Sequence, residues 1–355
     1  MYYNRNLITA EQHPATLADA SGVFDLQSQA SYRSENEWPF GDDVGFVAVV
    51  KIETSTEIEL RKVNNIAANY TVDWGDGSSF ETSAADNLPH TYVSPGTYVI
   101  KGAINSGTWV PWANQYKSQI YFTKFELRNQ TSPSTTSYNY RPFIGMFRLE
   151  SVAFPYSFFN SFTNFNSSFA RCHHLKSIAL FDTSNATNLG ALFDGCYSLT
   201  EVPLLDTSSC QSMAYMFREC FNLKSIPLLD TSNVTNFSAF TRLCEMVESF
   251  PSLDLSSATS CGYMCHAMTM LKHFPANMFD TCPMGTNFLH FGFVGCSLTV
   301  QSVENILLSV DTNGATGNTL AMQSGQNAAY STWSQAAKDA LTSLQGKSWT
   351  VTYNT

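Results

Sequence analysis

The sequence predicts a mainly β protein with short helices, in which a small β-domain is followed by a repeat solenoid and an α/β cap. Turn signals with glycine and proline separate apolar, strand-like segments between residues 43 and 130. From about residue 156 the chain superimposes on itself at an offset of 24 residues. After residue 299 apolar residues recur at helical spacing. We therefore expect an N-terminal arm or attachment segment at 1–42, the β-domain at 43–130, the solenoid at 131–299 and the cap at 300–355.

The composition narrows the classes of partner. Only 14% of the 355 residues are charged, aromatic residues also reach 14%, and the net charge of -10 leaves no basic stretch. This balance is typical of extended β-rich surface proteins, and it predicts no nucleic-acid partner. No run of about eighteen apolar residues exists and the N-terminus lacks a secretory pattern, so we expect no membrane insertion. A protein that leaves the cell by lysis inside a particle fits this picture, as does a protein whose signal has been removed.

The β-domain centres on the segment VDWGDGSSFETSAADNLPHTYVSPGTYVIKG at 72–102. Gly75 and Gly77 permit the positive φ angles of a tight turn, and we expect Trp74 to lie in the core. Asp73 and Asp76 could form a calcium pair, but carboxylates in turns more often accept hydrogen bonds from their own backbone.

This segment resembles a PKD-type immunoglobulin-like sandwich, whose pattern is a WGDG turn, then HTY, then PGTYTV. The resemblance implies a structural role for the histidine and flanking strands at GFVAVVKIE and QIYFTKFEL. The matching residues are Trp74, Gly75, Asp76, Gly77, His90, Thr91, Tyr92, Pro95, Gly96, Thr97 and Tyr98.

Four consecutive 24-residue copies span 180–203, 204–227, 228–251 and 252–275, with a degenerate copy at 156–179 and an altered copy at 276–299. The copies share apolar columns that we expect to stack inward, because each coil can bury its apolar face only against its neighbours. Stretches such as TNLGALFDGC and SMAYMFREC have the spacing of a short helix. The aspartate column predicts a turn whose carboxylate accepts backbone N–H groups. The columns are Leu175, Leu199, Leu223, Val247 and Leu271; Ile178, Val202, Ile226, Phe250 and Phe274; and Asp182, Asp206, Asp230 and Asp254.

Cysteines also follow the repeat, since Cys172, Cys196, Cys220 and Cys244 lie 24 residues apart. A metal or redox ladder is one interpretation of this column. The favoured interpretation is a small buried hydrophobe that fills a tight position in each coil. Disulfides between stacked equivalents need a geometry that a regular solenoid does not guarantee.

The repeat resembles the bacterial-surface type of leucine-rich repeat in which LDTSNVTNMSxMFxxCxxL recurs, as in mycoplasma surface lipoproteins and phage tail proteins. The resemblance covers roughly residues 150–299. It implies a leucine-rich-repeat solenoid, and such solenoids serve as adhesion and recognition surfaces of many kinds.

The cap begins with SLTVQSVENILLSVD, which predicts a helix that is apolar at Val300, Val303, Ile306, Leu307 and Val310. A strand at NTLAM follows, then a second helix with Ser331 or Thr332 as its N-cap and Gly346 as its C′ residue, and a terminal strand at SWTVTYN. This segment resembles the helical end that closes these repeats in phage tail proteins.

Neither a phosphate loop, a GxSxG elbow nor an HExxH motif appears. The pair His173 and His174 beside Cys172, and the pair Cys265 and His266, lack the spacing of a zinc site. We therefore expect no enzyme, with no catalytic, cofactor-binding or metal-binding residue and no cofactor. A carboxylate pair for glycoside cleavage remains an alternative, because tail-spike depolymerases bring such residues together through the three-dimensional fold and not through a local sequence motif.

The N-terminal stretch SGVFDLQSQASYRSENEWPF resembles segments that precede PKD-like and repeat modules in virion proteins of marine phages. Together the resemblances imply a virion structural protein of a bacteriophage, a tail or fibre component in host-surface recognition, located at the particle surface. Its expected partners are other virion proteins and a host-cell surface glycan or protein, with a possible homo-oligomer. The alternatives are a capsid decoration or head-fibre protein, a bacterial surface adhesin, and a polysaccharide depolymerase.

Overall fold

The computed structural model describes residues 45–61, 69–85, 87–106, 112–113, 121–128, 141, 143–285 and 288–355. The predicted arm at 1–42 lies outside the described residues. The described part is mainly β with two short helices, and this confirms the coarse fold prediction. Within these ranges no helix combines the length and the hydropathy that crossing a bilayer requires.

The strands and helices are short. The strands are β1 Gly45–Ile52, β2 Thr56–Arg61, β3 Asn69–Asp73, β4 Glu81–Ser83, β5 Asn87–Tyr92, β6 Gly96–Ser106, β7 Trp112–Ala113, β8 Phe122–Arg128, β9 Ser151–Ala153, β10 Thr319–Ala321 and β11 Thr350–Thr352. The helices are α1 Val300–Asn313 and α2 Gln335–Gly346, and short 3₁₀ turns lie at Tyr156–Phe159 and Tyr330–Thr332.

The N-terminal part is built from two sheets, one in the order β4-β3-β6-β1-β8-β9 and one in the order β5-β2-β7. The predicted flanking strands are β1 and β8, which pair antiparallel with each other. The ring of Tyr92 on β5 stacks on Tyr98 of β6 at 4.2 Å, and its hydroxyl donates to the Trp74 carbonyl at 2.7 Å. Trp74 is fully buried, as predicted, so the two sheets share one core.

The larger sheet continues into the repeats. Strand β8 pairs parallel with β9, so the edge of the sheet is covered by the start of the repeat region. The Glu150 amide donates to the Thr123 carbonyl at 2.8 Å, and Arg148 pairs with Glu53 at 2.8 Å. This junction leaves no open strand edge between β8 and the first coil.

The 24-residue copies lie one against the next. Parallel bridges join Asn164 to Asn188, Ser212, Asn236 and Ser260 in succession. The apolar columns are buried as predicted, except that Val202 is only partly buried. The amides of Phe143 and Gly145 donate to carbonyls of 156–179, so stacking begins one coil before the degenerate copy. We call residues 143–299 the coil stack.

The prediction of short helices inside the repeats is wrong. Alternate amides of one coil donate to the following coil, as in Leu189 to Ser212 and Ala191 to Ala214, at 2.9 and 2.8 Å. The residues between them close tight turns, as Leu192 does to Leu189 at 3.2 Å. Left-handed φ angles at Ala191 and Gly195 interrupt any helix. The inward burial of Leu189, Leu192 and their equivalents does follow the prediction, because both backbones present apolar residues to the same side.

The cap contains the two predicted helices, but α2 begins and ends at other residues than predicted. Helix α1 buries Val303, Ile306, Leu307 and Val310, whereas Val300 is 36% exposed. The predicted N-caps Ser331 and Thr332 lie in the 3₁₀ turn, and Ser334 caps α2 by accepting from the Ala337 amide at 3.2 Å. Gly346 is the last helical residue rather than C′, because the positive φ of the terminating turn falls on Ser348.

Side chains of the cap bind the last coil where a further coil would. Ser302 Oγ accepts from the Phe274 amide at 2.9 Å, and Asn327 Oδ1 accepts from the Leu298 amide at 2.9 Å. Asn318 Oδ1 accepts from the Phe288 amide at 3.1 Å. These three backbone amides of the last two coils therefore have partners without another repeat.

Candidate functional site

Many hydroxyl and amide side chains of the coil stack are committed to its own structure. Thr183, Thr207 and Thr231 are buried, and each donates its hydroxyl to the aspartate carbonyl of the next coil at 2.7 to 2.8 Å. Asn233 Nδ2 donates in the opposite direction, to the Ser208 carbonyl of the preceding coil, at 2.9 Å. These groups are engaged between coils, so hydroxyl and amide content alone does not mark a binding surface.

The aspartate column forms the predicted turns. Asp206 Oδ1 accepts from the Ser208 amide at 3.1 Å and from its hydroxyl at 2.7 Å. These bonds lower the pKa of the Asp206 carboxyl, and those of Ser256 lower the pKa of Asp254. Carboxylates held in this way shape the turn.

The cysteine column is buried and free of disulfides. Each thiol donates to a carbonyl of the preceding coil, as Cys196 does to Phe169 at 3.1 Å and Cys220 to Phe193 at 3.2 Å. Burial raises the pKa of Cys196 and Cys220 well above the ordinary thiol value. The sequence interpretation as a small buried hydrophobe is confirmed, and the hydrogen bond explains why cysteine occupies the position.

Four rings from successive coils form a continuous column on the surface, which we call the aromatic ladder: Phe147, His173, Tyr197 and Phe221. Neighbouring centroids lie 4.8, 4.1 and 5.0 Å apart, and the His173 and Tyr197 planes differ by only 9°. All four side chains are half-buried, so each ring keeps part of its surface in solvent.

The coil stack fixes the spacing of these rings. The Ser198 amide donates to the His173 carbonyl at 3.0 Å, and Asn222 Nδ2 donates to the Tyr197 carbonyl at 2.7 Å. Burial is the main cause that lowers the pKa of His173, with the neighbouring His174 and Arg171 adding to it. The neutral imidazole is then the form that stacks at pH 7. The ladder is a preorganised, uncharged aromatic surface.

The aromatic column gives way to polar residues beside a surface depression. Glu245 and Thr269 occupy the equivalent positions in the next two coils. Thr269 also lines a surface depression of about 400 Å³, together with Lys272, Ser297 and Gln326. Aromatic faces followed by hydroxyl, amide and amine groups form a surface that suits the apolar faces and the hydroxyls of sugars.

Asp73 and Asp76, considered above as a calcium pair, accept hydrogen bonds within their own turn. Asp73 Oδ1 accepts from the Gly75 amide at 2.8 Å, and Asp76 Oδ1 accepts from the Ser78 amide at 3.0 Å. The second Asp76 oxygen contacts His90 Nε2 at 2.8 Å, and His90 stacks on Trp74 at 4.4 Å. The structure thus joins these residues in a hydrogen-bonded corner of the β-domain.

The two residue pairs that were considered as metal ligands, His173 with His174 and Cys265 with His266, do not point to a common site in the structure. His173 belongs to the aromatic ladder while its neighbour His174 is exposed. Cys265 is buried, and His266 packs beside Tyr263 with ring centroids 5.5 Å apart. Over the described ranges, no three of the histidine, cysteine and acidic side chains come together in a group that could hold a metal ion.

Sequence reasoning missed the aromatic ladder. The signal lies in the repeat alignment, where His173, Tyr197 and Phe221 each follow a residue of the cysteine column. Phe147 could not be aligned, because its coil is offset by 26 residues rather than 24. Only the structure shows that these rings face outward in contact.

Residues 157–278, about a third of the chain, match a family described as "Mycoplasma protein of unknown function, DUF285". No curated protein matches the chain, and no solved structure does. The matched range contains three rings of the aromatic ladder and leaves the β-domain and the cap outside.

Proposed function

We propose that this chain is a non-enzymatic structural protein of a bacteriophage particle, a tail or fibre component that recognises the host surface. In this proposal the β-domain is a PKD-type immunoglobulin-like sandwich and the coil stack is a leucine-rich-repeat solenoid. The WGDG, HTY and PGTY residues support the first assignment. The inter-coil bridges at 24-residue intervals support the second. Other virion proteins hold the N-terminal part, and the solenoid contacts a host glycan.

The aromatic ladder is the observation that carries the recognition role. Its rings are not needed to fill the core, since Glu245 and Thr269 occupy the same column in later coils. Flat aromatic faces stack on the apolar face of a sugar ring, and a row of them suits a repeating saccharide. Because the backbone already holds the rings in register, binding costs little ordering entropy.

The test is binding of the purified full-length chain to cell-envelope polysaccharide of candidate hosts, measured by biolayer interferometry. We expect Tyr197→Leu, which removes the flat face but keeps an apolar side chain, to weaken binding about tenfold, or about 1.4 kcal/mol. The matched control is Tyr156→Ala, because Tyr156 is 53% exposed and lies outside the ladder. Equal binding by the wild type and Tyr197→Leu would refute the role of the ladder.

A second candidate, a bacterial surface adhesin, is favoured by the similarity of residues 157–278 to a family described from Mycoplasma. A capsid decoration or head-fibre protein is the alternative within the particle. Immunogold electron microscopy of intact phage separates these candidates: label on the tail supports the proposal, while label on the head or on uninfected cells favours a rival. Release of reducing ends from the bound polysaccharide would instead indicate a depolymerase.

A further inference from the structure

A second cluster lies on three adjacent coils, separate from the aromatic ladder: Arg242, Tyr263, His266, His290 and Phe291, which we call the arginine cluster. The Arg242 guanidinium carbon lies 5.6 Å from the centroid of Tyr263. The Tyr263 ring stacks on Phe291 at 5.2 Å and meets His266 and His290 at 5.5 and 5.7 Å. All five side chains are half-buried.

Three nitrogens of this cluster are buried without a hydrogen-bond partner: Arg242 Nε, His266 Nδ1 and His290 Nδ1. A buried polar group without a partner costs free energy, so such groups are uncommon in folded proteins. Their concentration in one cluster indicates a place where oxygen atoms from outside the chain complete the hydrogen bonding.

Arg218, one coil earlier in the same column, provides the contrast. Its Nε and one terminal nitrogen donate to the two Asp194 oxygens at 2.6 and 2.7 Å. Among the described residues no carboxylate lies within 4.0 Å of Arg242. Arg218 is thus paired with a carboxylate of the protein, whereas Arg242 has none within this distance among the described residues.

Tyr263 and Phe291 occupy costly backbone positions. Their φ angles are 58° and 53°, in the left-handed region that bulky side chains rarely adopt. The equivalent position also has a positive φ in the preceding coils, where Ala191, Tyr215 and Ala239 occupy it, so this conformation belongs to the repeat and only the side chain differs.

We propose that the arginine cluster binds a carboxylate-bearing sugar, a uronic acid residue of an acidic host polysaccharide. Arg242 pairs with the carboxylate, Tyr263 and Phe291 offer flat faces to the sugar ring, and His266 and His290 hydrogen-bond its hydroxyls. Burial and the Arg242 charge lower the pKa of His266, and this favours a neutral imidazole that can both donate and accept. The inference rests on the proposed function, which it deepens by naming the class of glycan.

The test compares trigalacturonic acid with its methyl ester, which keeps the sugar rings and masks the charge. We expect calorimetric titration of the full chain to show binding of the acid at least tenfold tighter than binding of the ester. Arg242→Gln should remove that preference, and Tyr263→Ala should weaken binding of both probes. The control Lys224→Gln removes an exposed cation elsewhere on the stack and should leave binding unchanged.

Equal binding of acid and ester, or an unchanged preference in Arg242→Gln, overturns the inference. The same preparations are tested on host envelopes with Tyr197→Leu. Envelope binding that depends on Tyr197 alone refutes the arginine cluster and leaves the proposed function intact. Charge-dependent binding of trigalacturonic acid without envelope binding supports the cluster and refutes host recognition. If neither probe nor envelope binds, both proposals fail. Circular dichroism of each variant confirms that the fold is retained.

Discussion

Replacement of Thr207 by valine isolates one inter-coil hydrogen bond. Thr207 is 2% exposed, and its hydroxyl donates to the Asp230 carbonyl at 2.8 Å. Valine keeps the shape of the buried side chain but removes the donor from this partly buried hydrogen bond. An unsatisfied buried group costs about 1 to 3 kcal/mol, and the more apolar side chain offsets part of it. We expect the free energy of unfolding to fall by about 1 to 2 kcal/mol.

Thr187→Val is the matched control. Its hydroxyl donates to the Thr163 carbonyl at 3.0 Å, but the side chain is exposed and Thr163 also accepts two backbone amides. Because water replaces this bond, we expect a loss below about 0.5 kcal/mol. Guanidinium denaturation followed by circular dichroism measures both variants, with the slope checked for constancy. Similar losses in the two variants would show that burial between coils does not strengthen these bonds, contrary to our reasoning.

Two further predictions concern titration and reactivity. Because hydrogen bonds from Ser208 lower the pKa of Asp206 in the fold, this carboxylate stabilises the protein above its unfolded pKa of about 4. That stability is lost as the pH falls through the lower folded pKa, so Asp206→Asn should flatten the acid limb of the stability profile below about pH 4. An acid limb as steep as that of the wild type would contradict this expectation. All nine cysteines are buried, and burial raises the pKa of Cys210 to about 11 and of Cys296 to about 12. An aromatic disulfide reagent should therefore titrate nine thiols only after denaturation, and rapid reaction in the native state would disprove this.

Features with a short-range or strictly periodic cause could be predicted from the sequence. The glycines of the WGDG turn have the expected positive φ angles of 74° and 85°. Apolar columns at 24-residue spacing are buried because every coil repeats the same environment. Helix α1 follows from its apolar period, and its N-cap is Thr299.

Other features depend on contacts that a local pattern does not encode. TNLGALFDGC has helical periodicity, yet its amides bind the adjacent coil, and tertiary hydrogen bonding overrides local preference. The sequence predicted Ser331 or Thr332 as the N-cap of α2, but a 3₁₀ turn takes up both residues and Ser334 caps the helix. The ladder and the arginine cluster combine residues from three or four coils, so each becomes visible only when columns are compared across the fold.

Because both ends of the coil stack are closed by other elements, the number of coils between them can change without altering either end. At one end β9 merges into the larger sheet, and at the other Ser302, Asn318 and Asn327 stand in for a missing coil. Neither closure depends on how many copies lie between them. Duplication of a whole copy between Pro227 and Leu228 would extend the molecule by about 4.8 Å, the distance between neighbouring strands. Evolution or an engineer can thus adjust its reach in fixed increments without exposing a growing tip to self-association.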